Sequence, residues 1–174
     1  MNVPSGTWID EEGWIVRPPE AASPNRDVEK AIRSSVLPSD ATARQREALE
    51  AAKKIRFEPE AYVAALRDWI AHGANSRFAL APDEVVRRSR SRPTEEALAA
   101  AHFELAQHLH RLGHADDAVS HFRDAQRLQP DNWTYRRQAW SLLPKGTTSR
   151  ETYGSDWLDG VLREGPENYY PPMV

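Results

Sequence analysis

Between Ala97 and Trp140 the apolar residues recur at steps of three and four, in two blocks separated by Gly113. The first block carries Leu98, Ala101, Leu105, Leu109 and Leu112; the second carries Ala115, Ala118, Phe122 and Ala125. This spacing predicts two amphipathic helices, folded back on each other as an antiparallel pair. Ala106, Ala118 and Ala125 are small enough to let the helices approach, and Phe122 fills the gap between them. Gly113 can take the left-handed conformation that ends a helix. Pro130 lacks an N–H and stops the second helix. Asp131 or Asn132 then caps a further helix containing Trp133 and Trp140.

The remaining chain alternates between short helices and punctuation. Thr7–Asp10 and Trp14–Arg17 flank Glu11-Glu12-Gly13, which predicts a β-hairpin with Gly13 at the left-handed loop position. Pairing Asp10 with Trp14 places Ile9 opposite Ile15 and Trp8 opposite Val16. One face then holds Trp8, Trp14 and Val16, and the other holds Ile9 and Ile15. Both faces are apolar, and a lone two-stranded hairpin is marginal in water. Pro18-Pro19 ends the hairpin. Helices are expected from Pro24 to Ser34, from Thr42 to Ile55, from Pro59 to Gly73, from Asp83 to Ser89 and from Ser155 to Arg163. The stripe of the Pro59 helix is Tyr62, Leu66, Trp69 and Ile70.

Composition narrows the function classes. The chain has 174 residues, a net charge of −3, 28% charged and 40% hydrophobic residues. It lacks the basic excess of a nucleic-acid binder and any apolar run long enough for a membrane span. The N-terminus does not read as a signal peptide, so a cytoplasmic location is the default expectation. With no cysteine, thiolate nucleophiles, disulfides and Cys-based metal sites are all excluded.

The second helical block, with Gly113, Ala118, Phe122, Ala125 and Pro130, resembles a tetratricopeptide (TPR) repeat, a unit of about 34 residues. On the first helix His102, Leu105-Ala106 and Leu109 stand where that pattern has an aromatic, Leu-Gly and Tyr. A second resemblance lies at the start. Asn2-Val3-Pro4, Thr7–Asp10, Gly13 and Ile15-Val16 look like the end of a thioredoxin-like domain. Together with Leu128–Tyr135, Gln138–Leu142 and Glu167–Pro171, they make the chain similar to the C-terminal part of ResA-type bacterial redoxin proteins. That resemblance implies a cis-proline at Pro4. It also implies a redox-active Cys pair, which this chain does not carry.

Five histidines, His102, His108, His110, His114 and His121, crowd the helical pair. A metal site would need them to converge with a carboxylate such as Asp116 or Asp117. His102, His108 and His110 point to different sides of one helix, so the expectation is solvated or capping histidines, with no metal ligands and no cofactor. Arg87, Arg88, Arg90 and Arg92 are read as a solvated run pairing with Asp83 and Glu84. Asp116 and Asp117 complement a helix N-terminus. In repeats of this class the first helix lines the binding face, which singles out Phe103, Gln107, His110 and Arg111 for partner contact. Trp8, Trp14 and Val16 are singled out for self-association.

The expected fold is mainly α: a TPR-like helical hairpin array with a short N-terminal β-hairpin. Its parts are residues 1–19 (the hairpin, a thioredoxin-like remnant), 20–92 (a helical segment), 93–143 (the helical hairpin plus the following helix) and 144–174 (linker, short helix and aromatic tail). The expected function is non-catalytic protein interaction or scaffolding, with a protein partner and a homodimer. No nucleic acid or membrane is involved. The alternative is an accessory half of a redoxin whose redox-active half is supplied by another, thioredoxin-like chain.

Overall fold

The turn at Gly13 sets the start of the fold in the computed structural model, which describes residues 5–22, 27–170 and 172. Gly13 has φ 86°, its N–H donates to the Asp10 carbonyl at 3.1 Å, and the Trp14 N–H donates to Asp10 Oδ1 at 2.7 Å. The turn joins β1 (Ser5–Ile9) to β2 (Ile15–Ala21) in an antiparallel pair. Ile9 faces Ile15 as expected, but Trp8 faces Arg17 and Gly6 faces Glu20. β2 therefore carries an extra residue at Val16 and another at Pro18-Pro19, where no N–H is available to the ladder. Each extra residue reverses which side chains share a face. Arg17, directly opposite Trp8, is buried with it, while Val16 is half-buried against the same core.

Two compact units make up the chain. One contains the hairpin together with α1 (Asp27–Ser34), α2 (Ala43–Lys54), α3 (Pro59–His72), α4 (Pro82–Arg88) and α9 (Trp157–Glu164). Its described residues are 5–22, 27–89, 157–170 and 172. Trp8, Ala22, Tyr62 and Ala65 form a core with Val16, Leu66, Trp69 and Phe78 packed against it. The Trp8 indole stacks on Trp69 at 5.1 Å, meets Tyr62 edge-on at 6.2 Å and donates to the Tyr62 hydroxyl at 3.3 Å. The hairpin thus shares a core with α3. A capping box between Thr42 and Gln45 starts α2, and an Arg44–Asp159 ion pair at 2.8 Å ties α2 to α9. Pro4 and Pro24 lie outside the described residues.

The other unit, described over residues 90–156, contains α5 (Thr94–Arg111), α6 (Ala115–Leu128), α7 (Trp133–Ser141) and α8 (Ser149–Tyr153). α5 and α6 form the expected hairpin around Gly113, whose φ is 86°. Asn132 caps α7 by accepting from the Thr134 and Tyr135 N–H groups. The core joins Ala99, Phe103 and Ala106 of α5, Ala118, Phe122 and Ala125 of α6, and Tyr135 and Ala139 of α7. The protein is mainly α. Among the described residues, no helix is long and apolar enough to cross a membrane.

Candidate functional site

The α5–α6 seam differs from its expectation on the α5 side. The α6 side is as read: Ala118, Phe122 and Ala125 are buried. On α5 the buried positions are Ala99, Phe103 and Ala106, one step round from the leucines. Two stripes with helical spacing coexist on this helix, and the one with small residues wins. Ala99 and Ala106 let α6 approach, and Phe103 enters the space between them. Phe103 meets Phe122 edge-on at 5.9 Å and stacks on Tyr135 at 4.3 Å. Phe103 is therefore a core residue and not available for partner contact.

Of the displaced stripe, Leu109 packs against the core and the other three leucines face outward. Leu98, Leu105 and Leu112 are 47%, 42% and 60% exposed. They recur every seven residues and so share one side of α5, which is the seam spacing of a coiled coil. Of the other residues singled out for partner contact, Arg111 is exposed, while Gln107 and His110 are half-buried. His110 lines an open groove of about 490 Å³ beside α6, α7 and α8, whose apolar wall includes Val119, Leu142, Leu143 and Tyr153. Burial pushes the Tyr153 phenol up to about 12, with Arg123 opposing the shift. Arg123 donates twice to the Thr152 carbonyl, at 3.0 and 2.6 Å, bracing α8 against α6.

Two of the five histidines, on different helices, come together. His102 of α5 and His121 of α6 meet across the seam, with Nδ1 to Nδ1 at 2.8 Å and ring centres 5.1 Å apart. Asp124, one turn along α6, brings Oδ2 to 3.8 Å from His102 Nδ1. The carboxylate partner is thus Asp124 and not Asp116 or Asp117, which sit in the first turn of α6. The signal was present in the sequence. His102 precedes Phe103 by one residue and His121 precedes Phe122 by one. Antiparallel helices are related by a local two-fold axis, so one step back from each facing phenylalanine reaches the same edge of the seam. Sorting the histidines by their position on a single helix conceals that pairing.

The hairpin residues singled out for self-association also separate. Trp8 is buried and Val16 half-buried in one core, while Trp14 is 73% exposed. The outward apolar patch is Ile9, Trp14 and Ile15. Arg87 and Arg88 both pair with Glu84, and hydrogen bonds from the two guanidiniums hold its carboxyl down at about 2. Arg90 reaches Glu96 at 3.9 Å.

No family model, curated protein or solved structure matches the chain.

Proposed function

We propose that this protein is a non-catalytic interaction or scaffolding module, built on the α5–α6–α7 array in the manner of a TPR-like repeat, and that it works in the cytoplasm. The observation that carries this reading is the outward stripe of Leu98, Leu105 and Leu112. Large apolar side chains repeated along one face of an otherwise satisfied helix mark a place where another surface docks. Seven-residue spacing suits an amphipathic helix, whose own apolar stripe would interdigitate with the leucines. The partner is therefore a helical segment of another protein. Close Ala-to-Ala packing and the Phe103–Phe122–Tyr135 cluster keep α5 rigid, so the stripe is presented without an ordering cost on this side of the complex.

The test is a selection of helical peptides from a displayed random library on the full chain, followed by anisotropy titration of the enriched peptides. Variants Leu105→Glu and Leu112→Glu should weaken binding about tenfold or more while circular dichroism stays unchanged, since both side chains point outward. Peptides that bind both variants as tightly as the parent, or a selection without enrichment, would refute the reading.

A further inference from the structure

We infer that His102, His121 and Asp124 form a binding site for a divalent transition-metal ion of the zinc class. The ligand set comes from two helices. His102 is supplied by α5, and His121 and Asp124 by successive turns of α6 on one side of that helix. One donor atom from each of the three lies within 4.8 Å of the other two. Zinc-class ions take imidazole nitrogen at about 2.0–2.1 Å and carboxylate oxygen at about 2.0–2.2 Å, so tetrahedral donors stand about 3.3 Å apart. The observed separations of 2.8 Å between the two Nδ1 atoms and 3.8 Å from His102 Nδ1 to Asp124 Oδ2 bracket that value. Small side-chain rotations bring all three donors onto one ion, without any change to the helix packing.

The surroundings favour this use. Burial is intermediate at all three ligands, so an ion can enter from solvent and keep a water in the remaining position. Arg127 holds the other carboxylate oxygen, Asp124 Oδ1, at 3.1 Å. This leaves Oδ2 turned to the histidines and limits the rotation of the carboxylate, the role an outer partner plays in metal sites. Two imidazoles and a carboxylate suit zinc, cobalt(II) or nickel(II) better than magnesium or calcium, which prefer oxygen alone. Without an ion, the two Nδ1 atoms share one hydrogen, one ring donating and the other accepting. With an ion, both rings carry their hydrogen on Nε2 and turn both Nδ1 lone pairs to the metal.

The ion would clamp α5 to α6. Binding should therefore be visible as stabilisation of the folded chain as well as in direct titration. The absence of cysteine removes the ligands that most often capture these metals adventitiously. The other histidines supply the controls.

The experiment is titration of the full chain with Zn²⁺ by calorimetry and with Co²⁺ by visible absorption, alongside His102→Ala, His121→Ala, Asp124→Asn and a His110→Gln/His114→Gln control. One ion per chain is expected, with an absorption band of four-coordinate Co²⁺ and a higher melting temperature when Zn²⁺ is present. His102→Ala and His121→Ala should each weaken binding about tenfold or more, with Asp124→Asn somewhat less damaging. The control should bind like the parent. Circular dichroism checks that each variant folds; these side chains are partly exposed, so truncation should leave the helices intact. Binding that survives both histidine truncations, or that is lost in the control, would overturn the assignment. So would the absence of any stabilisation by Zn²⁺ in the parent chain.

Discussion

Arg17 lies over the face of the Trp8 indole, its guanidinium carbon 5.4 Å from the ring centre, with both side chains buried. The same guanidinium donates to both oxygens of Glu20 at 2.9 and 2.8 Å and to the Phe78 carbonyl at 2.9 Å. A buried cation is tolerated only when its donors are satisfied and its charge is met. Here the flat, forked guanidinium does both while covering an aromatic ring. Arg17→Ala should therefore destabilise the hairpin-containing unit by roughly 2–4 kcal/mol. Arg17→Lys should lose much of the same amount, because an ammonium cannot span two carboxylate oxygens and a carbonyl. Urea unfolding followed by tryptophan fluorescence measures both. A parent-like midpoint for Arg17→Lys would show that the fork is dispensable.

Ala118 is 1% exposed at the α5–α6 contact. Ala118→Arg forces a long side chain into a seam made of alanines and places a charge there without a partner. The expected cost is about 3 kcal/mol or more, seen as a large drop in melting temperature. An unchanged transition would mean that the two helices are not held at this residue.

The helical hairpin was readable in the sequence because its punctuation is local. Gly113 and Pro130 act on their own backbone, and the small residues of α6 leave only one apolar face. α5 was harder to read. It offers a leucine stripe and an Ala-Phe-Ala stripe at the same spacing, and hydrophobicity alone favours the leucines. The Ala-Phe-Ala stripe is favoured by the close approach of α6 at Ala99 and Ala106 and by Tyr135, which stacks on Phe103 from a third helix beyond the two-helix pattern. The β-hairpin shows a similar limit. Turn chemistry at Gly13 places Ile9 opposite Ile15, but the extra residue at Val16 reverses the faces beyond. That turned Arg17 inward, a position to which charge patterning assigns no role. His102 and His121 were visible as residues but not as a pair, because their meeting depends on which edge of the seam each occupies.

Tyr153 carries a pH signature. Its phenol is pushed from 10.0 to about 12 by burial, so the folded chain keeps it neutral where the unfolded chain would ionise it. Between about pH 10 and 12 the unfolded state binds fewer protons than the folded one. Stability should fall with rising pH across that window, through this group. Absorbance at the phenolate band should show one tyrosine titrating near 12, and Tyr153→Phe should remove that step and the matching part of the alkaline loss of stability. A Tyr153→Phe variant with an unaltered titration curve would reassign the step to another tyrosine.

The hairpin offers a last, sharper expectation, because its two faces have different fates. Trp8 is enclosed by Tyr62 and Trp69, whereas Ile9, Trp14 and Ile15 are 54%, 73% and 44% exposed. The three exposed residues flank one turn and form an apolar patch at the tip of the strand pair. Self-association, if it occurs through this hairpin, must use Ile9, Trp14 and Ile15, with the simplest product a two-fold dimer. Light scattering across a dilution series should show mass rising with concentration for the parent chain. Trp14→Ser/Ile15→Thr should be monomeric and retain the parent melting temperature, since neither side chain contributes to the core. Trp8→Ser should instead lower the melting temperature, because it empties the space between Tyr62 and Trp69 and leaves the Tyr62 hydroxyl without its indole donor. A parent chain that stays monomeric at tens of micromolar would remove the hairpin as an interface.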